Sequence, residues 1–150
     1  MLCVLMAGVP DMVRDIRGRC LCGAVRINVQ VEEPRLRACH CDMCRQHTSS
    51  AFFSLETLAD SITIEGQAQS YQSSDWASRG FCGTCGSTLW YEMDGTRNLS
   101  AGLFPDAGGG VLKVEFFADK CPQGYALSGD QKKMTTQETI ALFAPYEGEA

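Results

Sequence analysis

The sequence predicts a mainly β domain. Three observations carry that reading: short stretches with two-residue alternation recur along the chain, glycine-rich or polar turns separate them, and no long amphipathic helix interrupts them. With 150 residues and 45% hydrophobic content, the chain is long enough to bury one core and too short to call for two domains. Thirteen basic against eighteen acidic side chains give a formal net charge of -5. That balance repels a phosphate backbone, so no nucleic acid is expected and small molecules or proteins are the partners to consider. No run approaches the roughly 20 apolar residues of a membrane span. Residues 1–10 are apolar but lack the basic start and small-residue cleavage site of a secretory signal. Nine cysteines in such a chain point to a reducing cytoplasm, where clustered thiols serve metals or catalysis rather than disulfides.

Residues 1–16 carry no clear periodicity and read as an N-terminal extension, with Met12 placed to serve as an alternative start. In Gly18–Gly23, the C-x-C of Cys20 and Cys22 reads as an extended segment with both thiols on one face, closed by a glycine able to take a positive φ. A half-buried strand follows: Val25, Ile27, Val29 and Val31 alternate with Ala24, Arg26, Asn28 and Gln30 until Glu32-Glu33-Pro34 ends the run.

Ala38–Arg45 is the stretch around which the rest is organised. Cys39 and Cys41 project from the same side of an extended chain, and a tight turn over Asp42-Met43 brings Cys44 to them, forming a three-thiol claw. A tetrahedral metal held this way keeps one corner open, the pattern of a catalytic rather than a structural zinc. Arg45–Ser50 reads as a loop or short helical turn, and Ala51–Leu55 as a short buried strand that sets aromatics near the claw.

Ser61–Gly66 and Gln69–Ser74 are further short strands. Arg79–Ser87 contains a C-x-x-C-G knuckle, Cys82 and Cys85, whose glycines permit the sharp turn that aims both sulfurs at one metal; Thr88–Tyr91 continues as a strand. Asn98–Phe104 and Leu112–Ala118 are the last strands, parted by a loop with three consecutive glycines, and Leu112, Val114, Phe116 and Ala118 share a face of the second. Beyond Cys121 the pattern weakens. Residues 123–150 read as a C-terminal extension packing on the same domain.

Seven of the nine cysteines fall in three clusters, leaving Cys3 and Cys121 apart. They divide naturally into four and three. Cys20, Cys22, Cys82 and Cys85 suit a saturated structural zinc, a site that contributes folding energy directly. Cys39, Cys41 and Cys44 would hold a second metal. Spacing does not force the division, because Cys121 or His47 could complete the claw and make it structural as well.

Gly18–Gly23 with Cys39-His40-Cys41-x-x-Cys44-Arg45 and Gly80-Phe81-Cys82-x-x-Cys85-Gly86 closely resembles the glutathione-dependent formaldehyde-activating enzymes, a group that includes centromere protein V. All three clusters occur in the order of that family, over about residues 17–122. The resemblance implies a single zinc-bearing domain of coiled antiparallel β-sheets, similar to methionine sulfoxide reductase B. It implies that Cys20, Cys22, Cys82 and Cys85 bind a structural zinc and that Cys39, Cys41 and Cys44 belong to the reactive site. The chain departs from the family pattern at three places: Ser49 stands where a glycine is usual, Pro122-Gln123 where Pro-Trp is common, and a histidine often found before the last strand is replaced near Val114.

The implied activity is zinc-dependent carbon–sulfur lyase or synthase chemistry on a small thiol such as glutathione and an aldehyde such as formaldehyde. Three thiolates give a metal site a formal charge of about minus one, which weakens its Lewis acidity and favours activation of a bound thiol; Arg45 could offset that charge. Arg45 and His47 are the candidate substrate-binding residues. His40, between two ligands, should turn away from the metal into a hydrogen bond, and Phe52, Phe53, Trp90 and Tyr91 read as core. Two other classes remain open. A non-catalytic zinc module for protein interaction needs a saturated claw, and a sulfoxide-reductase-type redox enzyme needs an attacking cysteine outside the zinc sets.

Overall fold

A computed structural model describes residues 12–143; Cys3 lies outside them. The described residues form eleven strands and two short α-helices in the order β1 (Arg14–Arg19), β2 (Arg26–Val31), β3 (Arg35–Cys39), α1 (Asp42–Thr48), β4 (Phe52–Leu55), β5 (Thr63–Glu65), β6 (Ala68–Gln72), β7 (Ala77–Cys82), β8 (Thr88–Met93), β9 (Thr96–Ser100), β10 (Val111–Phe116), β11 (Lys132–Lys133) and α2 (Thr136–Phe143). Strands β1, β2 and β5 make a small sheet in the order β1-β2-β5, and the other eight make a larger one in the order β11-β10-β3-β4-β9-β8-β7-β6. The mainly β architecture expected from alternation is present. The pairing is antiparallel except at β10, which runs parallel to both of its neighbours, β3 and β11.

The core lies between the two sheets. Val25, Ile27, Val29 and Val31 are at most 1% exposed, as their alternation requires, and they pack with Leu55, Leu89, Trp90, Leu99 and Phe104. At roughly 1.5–3 kcal/mol for each large apolar side chain removed from water, this layer supplies most of the force that closes one sheet on the other. Two glycines permit the close packing. A Cβ on Gly80 would sit 2.2 Å from the Trp90 indole that lies over it, and one on Gly18 would meet the Phe104 ring at 2.9 Å.

Three differences from the sequence reading have simple causes. Strand β1 begins at Arg14, inside the stretch that showed no periodicity, because only Ile16 and Gly18 of its residues turn inward and a glycine contributes no hydropathy signal. The segment Cys20–Cys22 is a turn between β1 and β2 rather than an extended run, closed by the Gly23 N–H on the Cys20 carbonyl at 3.1 Å. Glu115, on the face of β10 that alternation assigns to solvent, is 2% exposed. Residues after 126 cover it, and its carboxylate accepts hydrogen bonds from Gln131 Nε2 and pairs with His40 Nε2, each at 2.8 Å.

Candidate metal centres and reactive site

The turn between β1 and β2 carries Cys20 and Cys22, and the turn between β7 and β8 carries Cys82 and Cys85. These turns belong to different sheets, yet their four sulfurs all lie within 4.8 Å of one another. The knuckle closes through Gly86, which has φ +77° and donates its N–H to the Cys82 carbonyl at 2.8 Å. The Leu21 N–H reaches Ser87 Oγ at 3.0 Å and ties the first turn to the second. Sulfur separations of 3.6 Å for Cys20–Cys22 and 3.8 Å for Cys22–Cys82 are far too long for a disulfide. They match the edge of about 3.8 Å of a tetrahedron with metal–sulfur bonds near 2.3 Å. Four thiols at that spacing fit zinc. The Ser87 hydroxyl, followed by backbone N–H groups, holds the Cys85 thiol down to about 5, easing the deprotonation that metal binding needs.

The second cluster forms where β3 ends. Cys39 closes the strand, His40 passes beneath, and Cys41 caps α1, its sulfur accepting the Cys44 N–H at 3.4 Å. A helix thus replaces the expected tight turn, and a single helical turn brings Cys44 back over Cys41. The three sulfurs lie within 4.8 Å of one another and, among the described residues, no fourth histidine, cysteine or carboxylate joins them. The two candidates for a fourth ligand are engaged elsewhere: Cys121 Sγ lies on the Tyr125 carbonyl at 3.6 Å, and His47 Nε2 lies 3.4 Å from Thr88 Oγ1. Hydrogen bonds from Cys39, then Cys44, hold the Cys41 thiol far below its ordinary range, while contact with Cys41 pushes Cys39 up. Three adjacent thiols repel one another once ionised, so a cation among them favours their thiolate forms. That donor set fits a soft divalent metal with one position left for another ligand.

His40 is fully buried and turned from the cluster, paired with Glu115 as expected of a residue between two ligands. Its backbone N–H bonds the Phe116 carbonyl at 3.0 Å, so β10 braces the claw from below. Removing the carboxylate would strand the buried imidazole N–H and the Gln131 amide. Glu115→Ala should therefore lower stability by about 2–4 kcal/mol in a denaturant titration, and Glu115→Gln, which keeps an acceptor, by less.

Arg45 and His47 leave α1 on different sides, as residues two apart on a helix must. The Arg45 guanidinium bonds the His40 carbonyl at 3.0 Å and Asp42, holding the loop that carries the claw. His47 lines a cavity of about 790 Å³ together with Ser49, Phe52, Phe53, Thr88 and Ser100. Burial, and then the positive charge of Arg79, push its imidazole below the ordinary range, so it is neutral near pH 7. Ser49 ends α1 at φ 72°, a left-handed position that glycine fills without strain. Ser49→Gly should raise stability by about 0.5–1 kcal/mol, read as an increase in Tm.

The spacing of the motifs gave no sign of Arg79. It projects inward from β7 with 3% exposure, and both terminal nitrogens approach Cys44 Sγ, at 3.6 and 3.7 Å. Its guanidinium lies 5.0 Å from the centre of the Tyr91 ring on the paired strand β8. The cation against the sulfurs is Arg79, while Arg45, which could have offset their charge, bonds the His40 carbonyl and Asp42.

A mainly β protein with one cluster of four cysteines and one of three, each of which could hold a metal ion, is the class that fold and site define. The sequence model of the family described as "Glutathione-dependent formaldehyde-activating enzyme" matches residues 15–119, and the chain belongs to that family. A relative from Schizosaccharomyces pombe, named as an uncharacterized lyase, is 31% identical over 134 residues, covering 84% of this chain and 95% of that protein. Both findings support a formaldehyde-activating, lyase-type function. Among the described residues, no helix is long and apolar enough to cross a membrane.

Proposed function

We propose that the chain is a cytoplasmic carbon–sulfur lyase that forms and cleaves the adduct of a small thiol such as glutathione with an aldehyde such as formaldehyde. In this reading Cys20, Cys22, Cys82 and Cys85 hold a structural zinc, and Cys39, Cys41 and Cys44 hold a second, reactive zinc. The single observation that carries it is the contrast between a set of four sulfurs and a set of three that gathers no fourth protein ligand among the described residues.

In the reaction, the thiol sulfur forms a bond to the carbonyl carbon. The C=O π pair moves to oxygen, which takes up a proton as the thiol gives one up. Reversal breaks the carbon–sulfur bond and restores thiol and aldehyde. Zinc, when bound, would keep a thiol ionised at neutral pH and polarise a carbonyl oxygen. The chain's own residues do the rest. Cys39, Cys41 and Cys44 would hold the reactive zinc through their sulfurs. Arg45 holds the loop that presents them, through the His40 carbonyl and Asp42. Neutral His47, at the edge of the cavity, can carry the exchanged proton on Nε2. Phe52 and Phe53 line the same cavity as His47.

Native mass spectrometry with metal analysis, followed by formaldehyde consumption in the presence of glutathione, tests the reading. Two zinc ions per chain and a rate above that of a Cys44→Ser control are expected, the control being needed because thiols add to formaldehyde spontaneously. Two tightly held metals with no thiol-dependent turnover would instead favour a non-catalytic zinc module for protein interaction.

A further inference from the structure

We propose that Arg79 is a positioning residue for the three-cysteine site: its buried guanidinium supplies the fixed positive charge that lets Cys39, Cys41 and Cys44 hold a divalent metal and still admit an anionic fourth sulfur. The proposal rests on the reading of this cluster as an open metal centre.

A guanidinium cannot be neutralised by losing a proton at any ordinary pH, so a buried one requires an anionic partner. Arg79 is 3% exposed, and among the described residues no carboxylate lies within ion-pair distance of it. Its near neighbours are the Cys44 sulfur, met by both terminal nitrogens, and the face of Tyr91. The ring stabilises the cation from one side without neutralising it. Among the described residues, the sulfur cluster is what can supply the balancing negative charge.

The arithmetic of the site explains what the charge is for. Three thiolates around a dication carry a formal charge of minus one, and a fourth thiolate would bring it to minus two in a half-buried pocket. With Arg79 counted, the same two states carry zero and minus one. Because the charge is held by β7 and the ring beneath it, it is in place before substrate arrives and needs no rearrangement. Arg45 is 31% exposed at its side chain and already paired with Asp42, so its influence on the sulfurs is screened by solvent.

The test is cobalt(II) binding followed by titration with 2-mercaptoethanol, read from sulfur-to-cobalt absorption, in wild type, Arg79→Met and Arg79→Lys. Wild type should bind two cobalt ions. Arg79→Met should bind the first with unchanged affinity and the second about tenfold to a hundredfold more weakly, with a similar rise in the Kd for 2-mercaptoethanol. Arg79→Lys, which keeps the charge and loses the fork, should recover most of both affinities. Thermal unfolding gives the readout for a merely structural role. A lowered Tm in Arg79→Met with both affinities at wild-type values would overturn the proposal, and so would equal weakening by Met and Lys. If Arg79→Met does not fold, Arg79→Gln takes its place with the same readings. A wild-type protein that binds only one cobalt would bring down the open-centre reading and this proposal together, whereas two cobalt sites indifferent to Arg79 would sink this proposal alone.

Discussion

Cys85→Ser should lose one zinc and, with it, on the order of 4 kcal/mol or more of stability. The size follows from topology. Cys85 and Cys82 sit on the turn of the larger sheet, Cys20 and Cys22 on the turn of the smaller one, and sulfurs separated by 60 residues in sequence approach to 3.8 Å. A metal there cross-links the two layers that enclose the core. Serine is a poor ligand for zinc, so the substitution removes the bond and leaves three thiols gathered without the cation that justifies their closeness. Equilibrium unfolding monitored by circular dichroism, with zinc counted by mass spectrometry, should show both losses. Loss of the ion with unchanged unfolding would make the cluster a passenger of the fold.

Cys44→Ser should do the opposite. The substitution falls on a helix already capped and braced by the Cys41 sulfur, Arg45 and the pairing of β3 with β10, and a serine oxygen can still accept from Arg79. The protein should fold with a Tm within a few degrees of wild type and retain one tightly held zinc. Turnover should fall by more than the roughly 10- to 100-fold typical of losing a mere supporting partner, because a ligand itself is gone. Equal destabilisation by Cys44→Ser and Cys85→Ser would contradict the division into a structural and a reactive site.

Those contrasting expectations were legible in the sequence because they rest on local spacing. C-x-C, C-x-x-C and C-x-C-x-x-C announce thiols that meet over one turn, but spacing left open whether Cys121 or His47 completes the claw; it is the structure that gathers sulfurs in sets of four and three. Strand β2 was legible for a similar reason, since one face of it is entirely aliphatic and the other polar. What spacing cannot encode is a partner that arrives from elsewhere in the chain. Glu115 looks solvent-facing until residues 127–139 fold over it and His40 reaches it from β3's end. Arg79 reads as an ordinary charge before the knuckle until β7 pairs with β8 and turns it beneath Cys44. The C-terminal stretch itself, weak in pattern, contributes buried Gln131, Met134 and Thr139, and the Thr139 hydroxyl accepts the Phe117 N–H at 3.1 Å. Its polar identity hid its burial.

The departure at Ser49 shows the limit from the other side. A glycine was expected there by resemblance, and the observed φ of 72° supplies the physical reason for that preference. The serine adopts the same conformation at some cost and leaves the claw in place. Ser49 itself lines the cavity beside His47.

The most direct test of the open corner at Cys39, Cys41 and Cys44 is the absorption spectrum of the two-cobalt protein as glutathione is added. Intensity of the sulfur-to-cobalt bands should rise saturably with one added thiol per chain, unchanged by Cys121→Ser and abolished by Cys44→Ser. A spectrum of the two-cobalt protein that stays indifferent to glutathione, 2-mercaptoethanol and every other small thiol tried would contradict the claim, because it would mean that the fourth position is already filled.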